Sequence, residues 1–303
     1  MKVLVTGASG FIGREVTKRL CERRFEVHAV ARKSLTIADE IWHELDLFDS
    51  GAVDNLMRQI KPTHLVHLAW TTEPGQFWNS PENHDWERAS KHLFDSFTAH
   101  GGKRFVGAGT CAEYEWNEKL CRESDADSVP STVYGQSKLS TWKYVDSRSQ
   151  ETGAISAWGR IFWLYGPHEH PSRLVPHVIK SILAGRHVDC TSGEQLRDFM
   201  HVSDVAESFV RLTDSQVTGP INIASGNAVA VREVVLQIAS QMSGEQLVRL
   251  GALPTKASEP HVVAADVQRL TSLLSFRPSV SLSDGLNSTI SWIKSVSAAA
   301  ASK

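Results

Sequence analysis

Tyr134 and Lys138 stand four residues apart in Val133-Tyr134-Gly135-Gln136-Ser137-Lys138. On a helix that spacing puts both side chains on one face. A free phenol has a pKa of about 10 and is a poor base at neutral pH. An ammonium beside it stabilises the phenolate, so the pair can give or take a proton at a substrate oxygen. Such a pair is common and means little alone. A second element gives it meaning: Thr6-Gly7-Ala8-Ser9-Gly10-Phe11-Ile12-Gly13, directly after the apolar run Val3-Leu4-Val5. Gly7 permits a tight turn, Gly10 lets the backbone approach a pyrophosphate, and Gly13 lets helix and strand pack closely. Around Phe11 and Ile12 a helix begins, whose unpaired N–H groups and positive dipole end suit phosphates. The chemistry implied is hydride transfer with a dinucleotide, with Tyr134 and Lys138 moving the proton.

The elements needed to position these groups can be read from hydrophobic patterning. Strands are predicted over 2–6, 26–31, 42–45, 64–68, 103–108 and 154–162. Helices alternate with them over 11–24, 49–60, 81–100 and 133–151. Repeated strand–helix–strand units with short links predict an α/β fold, a Rossmann-type doubly wound parallel sheet covered on both faces. The pattern loosens after Leu164, where Pro167, Pro171 and Pro176 punctuate a loop-rich stretch. Beyond it come helices over 203–214, 231–242, 266–274 and 282–296 and strands over 220–224 and 247–250, with Ser203 or Asp204 a candidate N-cap. Residues 1–165 are expected to form the dinucleotide-binding domain, with 200–225 returning to it. Residues 166–199 and 226–303 are expected to form a smaller mixed α/β substrate-binding domain, frayed over its last six residues.

Strand 2 ends Val30-Ala31-Arg32-Lys33. An NAD site normally places an acid there for the ribose hydroxyls, whereas an arginine suits a 2′-phosphate. Arg32, helped by Arg14, therefore favours NADP(H) over NAD(H); a solvated strand end is the bland alternative.

The net charge of −2 comes from scattered residues, which argues against a nucleic-acid or anionic-membrane surface. The four cysteines show no C-x-x-C spacing, and His168 and His170 lack a third ligand nearby, so no metal site is expected. No signal peptide or membrane-spanning run is visible, and a cytoplasmic location is expected.

The glycine turn, the Y-x-x-x-K pair and Arg197-Asp198-Phe199-Met200-His201-Val202-Ser203-Asp204-Val205-Ala206 occur in an order that resembles the extended branch of the short-chain dehydrogenase/reductase family, the nucleotide-sugar epimerases and dehydratases. The resemblance spans nearly the whole chain. It implies that Asp46 and Leu47 contact the adenine, and that Leu68, Ala69 and Trp70 pass under the cofactor. It makes Thr110, four residues before Tyr114, the third catalytic residue with Tyr134 and Lys138; a turn hydroxyl capping backbone is the alternative. Arg197 is implied to reach the substrate diphosphate, with Cys111 on the substrate side. Arg173 is either substrate-facing or a loop salt bridge. Lys256 and Glu259 read as solvated loop residues, Asn222 as structural, and Trp70, Trp78 and Trp86 as mostly packing residues near the cleft. The 4,6-dehydratases of the family carry an acid two places after the threonine; here that place is Ala112, and Glu113 lies one place further, turned to the other side on an extended loop. Dehydration is therefore disfavoured. The expected reaction is NADPH-dependent reduction of a nucleotide-linked 4-keto-6-deoxyhexose. The alternatives are a nucleotide-sugar 4-epimerase retaining NAD and a non-catalytic NADP(H) sensor. The family further implies a homodimer built on the helices near 81–100 and 133–151.

Overall fold

The computed structural model of the chain describes residues 1–33, 40–117, 120–125, 129–255 and 259–301. Lys256 lies outside them. The strands are β1 (Lys2–Thr6), β2 (Glu26–Ala31), β3 (Ile41–Glu44), β4 (His64–His67), β5 (Arg104–Thr110), β6 (Ile155–Ile161), β7 (Trp163–Tyr165), β8 (Val188–Asp189), β9 (Leu196–His201), β10 (Gly219–Ile223), β11 (Ala228–Ala230), β12 (Val248–Arg249) and β13 (Val262–Val263). The helices are α1 (Gly13–Glu22), α2 (Ser50–Ile60), α3 (Glu82–Ala99), α4 (Val133–Thr152), α5 (Leu174–Leu183), α6 (Val202–Thr213), α7 (Val231–Gln241), α8 (Gln268–Leu273) and α9 (Leu282–Ala301).

Seven parallel strands form the main sheet in the order β10-β6-β5-β4-β1-β2-β3. β1 to β6 follow the doubly wound dinucleotide-binding order, with the switch between β1 and β4 and β10 added beyond β6. Both faces are covered, so side chains on alternate sides are equally apolar. Val3 and Val5 of β1 join a core with α1 and α6, while Leu4 joins a second core with α2, α3 and α4. A separate core gathers α5, α7 and α9 beneath β9.

The region after Leu164 is more ordered than its prolines suggest. Pro176 stands third in α5, within the first turn, where a helix has no carbonyl for its N–H, so the missing donor costs nothing. The Arg197 segment is a strand, β9, pairing with β7, β11 and β13. Neither Ser203 nor Asp204 caps α6: the His201 ring accepts from Ser203 N. Asp204 is buried and accepts from Ser279 N and Val280 N at 3.0 and 2.9 Å, which ties α6 to the start of the last helical segment. The chain's end is helical to Ala301 rather than frayed from Ala298, in keeping with the high helix propensity of its alanine run.

Candidate active site

The glycine turn joins β1 to α1 against the end of β4. Gly7 has φ +68°, and a Cβ there would lie 2.7 Å from Ala69 N. Gly13 admits no Cβ either, since one would stand 2.1 Å from Gly7 O. Gly10 is exposed, with only Gly7 O, at 3.1 Å, near its missing Cβ. No side chain caps α1 at Ile12. The result is an open, uncapped helix N-terminus, which fits a dinucleotide pyrophosphate. Substituting Gly7 by Ala combines a strained φ with a clash against the Leu68–Ala69 backbone just beyond β4. Gly7→Ala protein is expected to lose bound dinucleotide on gel filtration and to melt several degrees lower; unchanged retention would remove Gly7 from the cradle.

Thr110 ends β5 rather than lying in the loop after it. Its hydroxyl accepts from Ala112 N at 3.2 Å, starting a short 3₁₀ turn over Cys111–Glu113. Thr132 caps α4, its hydroxyl accepting from Gly135 N at 3.1 Å. Gly135 is a functional residue that spacing arguments missed: a Cβ there would fall 2.1 Å from Ala112 O. Its absence lets the 3₁₀ turn lie on the helix and brings Thr110 to Tyr134. The signal was present as a helix-interior glycine, a costly choice without a packing reason.

Tyr134 is buried, and burial pushes its phenol above the ordinary value while a hydrogen bond with Thr110 opposes the shift. Its ring meets Phe77, Trp78 and Trp70 edge-on at centroid distances of 4.9, 6.0 and 6.3 Å. Lys138 is also buried. Its Nζ donates to Ala108 O at 2.8 Å, and burial pushes its ammonium down to about 7, with Glu113 opposing. Trp78 thus forms a wall of the site. Phe77, which sequence reasoning missed, follows the Pro74-Gly75 turn, where an adjacent pair of large aromatics was the available signal.

Glu113 runs inward, but on a 3₁₀ turn rather than the expected extended loop, so strand-like alternation is not what turns it. Its carboxylate accepts from Thr110 N and Trp158 Nε1 at 2.8 and 2.9 Å and pairs with Arg160 Nε at 2.8 Å. Tyr114 donates to Asn222 Oδ1 at 2.6 Å, and Asn222 donates to Cys121 O and Asp266 O. This buried network fixes the back of the Thr110 turn and accounts for Asn222.

The remaining candidates spread around the cleft. Arg32 is exposed just beyond β2. Arg14 donates to Ser9 O at 3.0 Å and lies 3.0 Å from His168 Nδ1, linking the glycine turn to the loop after β7. Asp46 is exposed, with Oδ1 accepting from Phe48 N, and Leu47 beside it is buried. Leu68, Ala69 and Trp70 follow β4 beside Gly7. Arg173 donates to Thr72 O at 3.2 Å and lies over Phe77, so it bonds a carbonyl rather than forming a loop salt bridge. Arg197 is buried under Trp163; it donates to Leu196 O, Pro260 O and His261 O and pairs with Glu259 at 3.1 Å. Glu259 is therefore a half-buried partner of Arg197 and not a solvated loop residue. Cys111 is buried near Arg197, its thiol pushed up by burial. No cluster of three His, Cys, Asp or Glu able to hold a metal occurs among the described residues, and none of their helices is long and apolar enough to cross a membrane.

Residues 3–224 match the profile of the NAD dependent epimerase/dehydratase family. A UDP-glucose 4-epimerase of Corynebacterium glutamicum is 24% identical over 302 residues, spanning 92% of this chain and 91% of that protein. The solved UDP-glucuronic acid 4-epimerase from Bacillus cereus, in complex with UDP-glucuronic acid and NAD, superposes with a TM-score of 0.87 at 21% identity, covering 98% of this chain and 100% of that one. MoeE5 in complex with UDP-glucuronic acid and NAD gives 0.84 at 27% identity, covering 98% and 100%. With the glycine cradle and the Thr110–Tyr134–Lys138 grouping, these findings identify the chain as an enzyme of the extended short-chain dehydrogenase/reductase class, belonging to the NAD dependent epimerase/dehydratase family.

Proposed function

We propose that the protein is a nucleotide-sugar 4-epimerase that retains its nicotinamide dinucleotide. One observation carries this reading: the buried Thr110 and Tyr134 are hydrogen-bonded, Lys138 is buried one helical turn on, and the chain also carries an uncapped helix N-terminus flanked by glycines. The relatives support it, since the Corynebacterium protein is a UDP-glucose 4-epimerase and the Bacillus structure holds a UDP-sugar with NAD. Gly7, Gly10, Phe11, Ile12 and Gly13 would hold the pyrophosphate, Asp46 and Leu47 the adenine, and Leu68–Trp70 with Lys138 the nicotinamide side. A nicotinamide bound there would take a hydride from the sugar carbon and return it. Tyr134 moves the proton at the sugar oxygen, and Thr110 donates a hydrogen bond to that same oxygen. Lys138 sets the charge against which the phenol ionises. Arg173, Cys111 and Arg197 line the sugar-diphosphate side. For Arg197 this role requires the 259–261 segment to yield some of its bonds. The outer faces of α3 and α4, already joined through Glu87, Lys91 and Ser140, are the proposed dimer surface.

A second reading keeps one observation of its own. Arg32 presents an exposed guanidinium at the end of β2, where a 2′-phosphate would lie, and this favours NADPH and a 4-keto-6-deoxyhexose reductase. Purified protein separates the two. Nucleotide extracted from it and interconversion of UDP-glucose and UDP-galactose without added cofactor support the epimerase. Oxidation of added NADPH by dTDP-, GDP- or CDP-4-keto-6-deoxyhexose, with no resident NAD, overturns it in favour of the reductase.

A further inference from the structure

Trp70 stands two residues beyond Leu68, at the mouth of the cofactor cradle, yet its ring turns inward onto the catalytic helix. The indole plane is clamped. Trp70 Nε1 donates to Asn83 Oδ1 at 2.8 Å, and the fully buried Asn83 donates in turn to Phe77 O and Ser80 O at 2.7 and 2.9 Å. Trp86 stacks on it, with centroids 6.1 Å apart and planes at 26°. Lys138 Nζ lies 3.8 Å from the centroid of this fixed ring. That is well inside the range in which a ring quadrupole attracts a cation, and the attraction is larger where water is excluded.

The rest of the lysine's surroundings give it little help. From β4, His67 sits between Thr6 Oγ1 and Ser90 Oγ at 2.7 and 2.8 Å, its ring held neutral by burial, with a pKa pushed down to about 3. From the turn after β5, Glu113 favours the ammonium but is already paired with Arg160. From β6, Trp158 presents its ring at 5.8 Å, and from α4 itself the Tyr134 ring lies at 6.0 Å. An ammonium has three N–H bonds. Ala108 O takes one and the Trp70 face a second, which leaves the third for the tyrosine oxygen or a bound ribose.

We propose that Trp70 is a positioning residue that holds Lys138 as a charged ammonium, aimed between Ala108 and Tyr134. The inference rests on the reading of Lys138 as the group that ionises Tyr134, but its test needs neither substrate nor cofactor. Burial already pushes Lys138 down to about 7, and removing the ring removes a field that favours the cation, so the midpoint falls further.

The experiment is an NMR titration of the Lys138 side chain in cofactor-free protein, comparing wild type with Trp70→Leu and Trp70→Phe. Trp70→Leu is expected to lower the midpoint by about one pH unit, and Trp70→Phe, which keeps a ring, by less than half of that. An unchanged midpoint in Trp70→Leu overturns the proposal. If that variant does not fold, fluorinated tryptophan placed at position 70 alone, with Trp158 and the other tryptophans unlabelled, replaces it: a midpoint that falls with each added fluorine supports the contact, and one that ignores fluorination overturns it. The titration decides the Trp70–Lys138 contact whichever reaction the enzyme performs. Turnover assays alone decide between epimerase and reductase, so the two failures are distinguishable.

Discussion

Tyr134→Phe protein is expected to fold, to keep its dinucleotide and to lose turnover by about 100- to 10,000-fold, the range general acid–base catalysis contributes. The ring is what packs against Phe77, Trp78 and Trp70, and phenylalanine keeps it. Only the hydroxyl is lost, with its bond to Thr110. The loss should therefore appear in kcat, with KM and the thermal midpoint nearly unchanged. In a group that acts as a unit, adding Thr110→Val to Tyr134→Phe should cost little more than the tyrosine change alone. Turnover within threefold of wild type in Tyr134→Phe would remove the phenol from the chemistry and, with it, the proposed role of Lys138.

The largest expected effect on stability lies behind the site. Glu113 and Arg160 are buried, with side-chain exposures of 0% and 2%. Removing the carboxylate in Glu113→Ala leaves a guanidinium in the core without its counter-charge, and leaves Thr110 N and Trp158 Nε1 without their acceptor. Breaking a buried pair from one side costs about 3–5 kcal/mol, a large part of a typical domain's stability. Replacing both members with apolar residues of similar size, Glu113→Leu with Arg160→Met, should recover the part of that loss due to the unpaired charge, while Thr110 N and Trp158 Nε1 still lack their acceptor. Activity should not recover with it, since the carboxylate also fixes the turn that presents Thr110. Chemical denaturation of the two variants beside wild type reads the first effect and kcat the second. A Glu113→Ala protein as stable as wild type would mean that the pair adds nothing to folding.

The sheet was legible because its strands are apolar on both faces and its turns carry glycine at the junctions. The glycine cradle and the Tyr134–Lys138 pair were legible because each follows from local spacing on one element. The rest depended on contacts far apart in sequence. Nothing near Glu113 shows that Arg160, 47 residues on, would claim it. Nothing near Arg197 shows that Glu259 and two carbonyls of its segment would take its donors. Pro176 read as punctuation because proline stops a helix from inside, yet it sits within the first turn, where it does not. The relatives are nucleotide-sugar epimerases, which makes epimerisation rather than reduction the proposed reaction, a distinction that one triad serving both cannot reveal.

The seventh strand of the main sheet, β10, reaches β6 only after an excursion of some 57 residues through β7, β8, β9, α5 and α6. During synthesis, the nucleotide-binding half therefore waits. With residues 1–165 made, β6 offers a bare row of backbone donors and acceptors to any passing strand. The β6 edge is covered only when residue 223 has emerged and β10 docks, with α6 sealing the face beneath it. A ribosome stalled inside that excursion leaves a fragment with a finished cradle and β6 as an uncovered sheet edge, an aggregation hazard that belongs to synthesis.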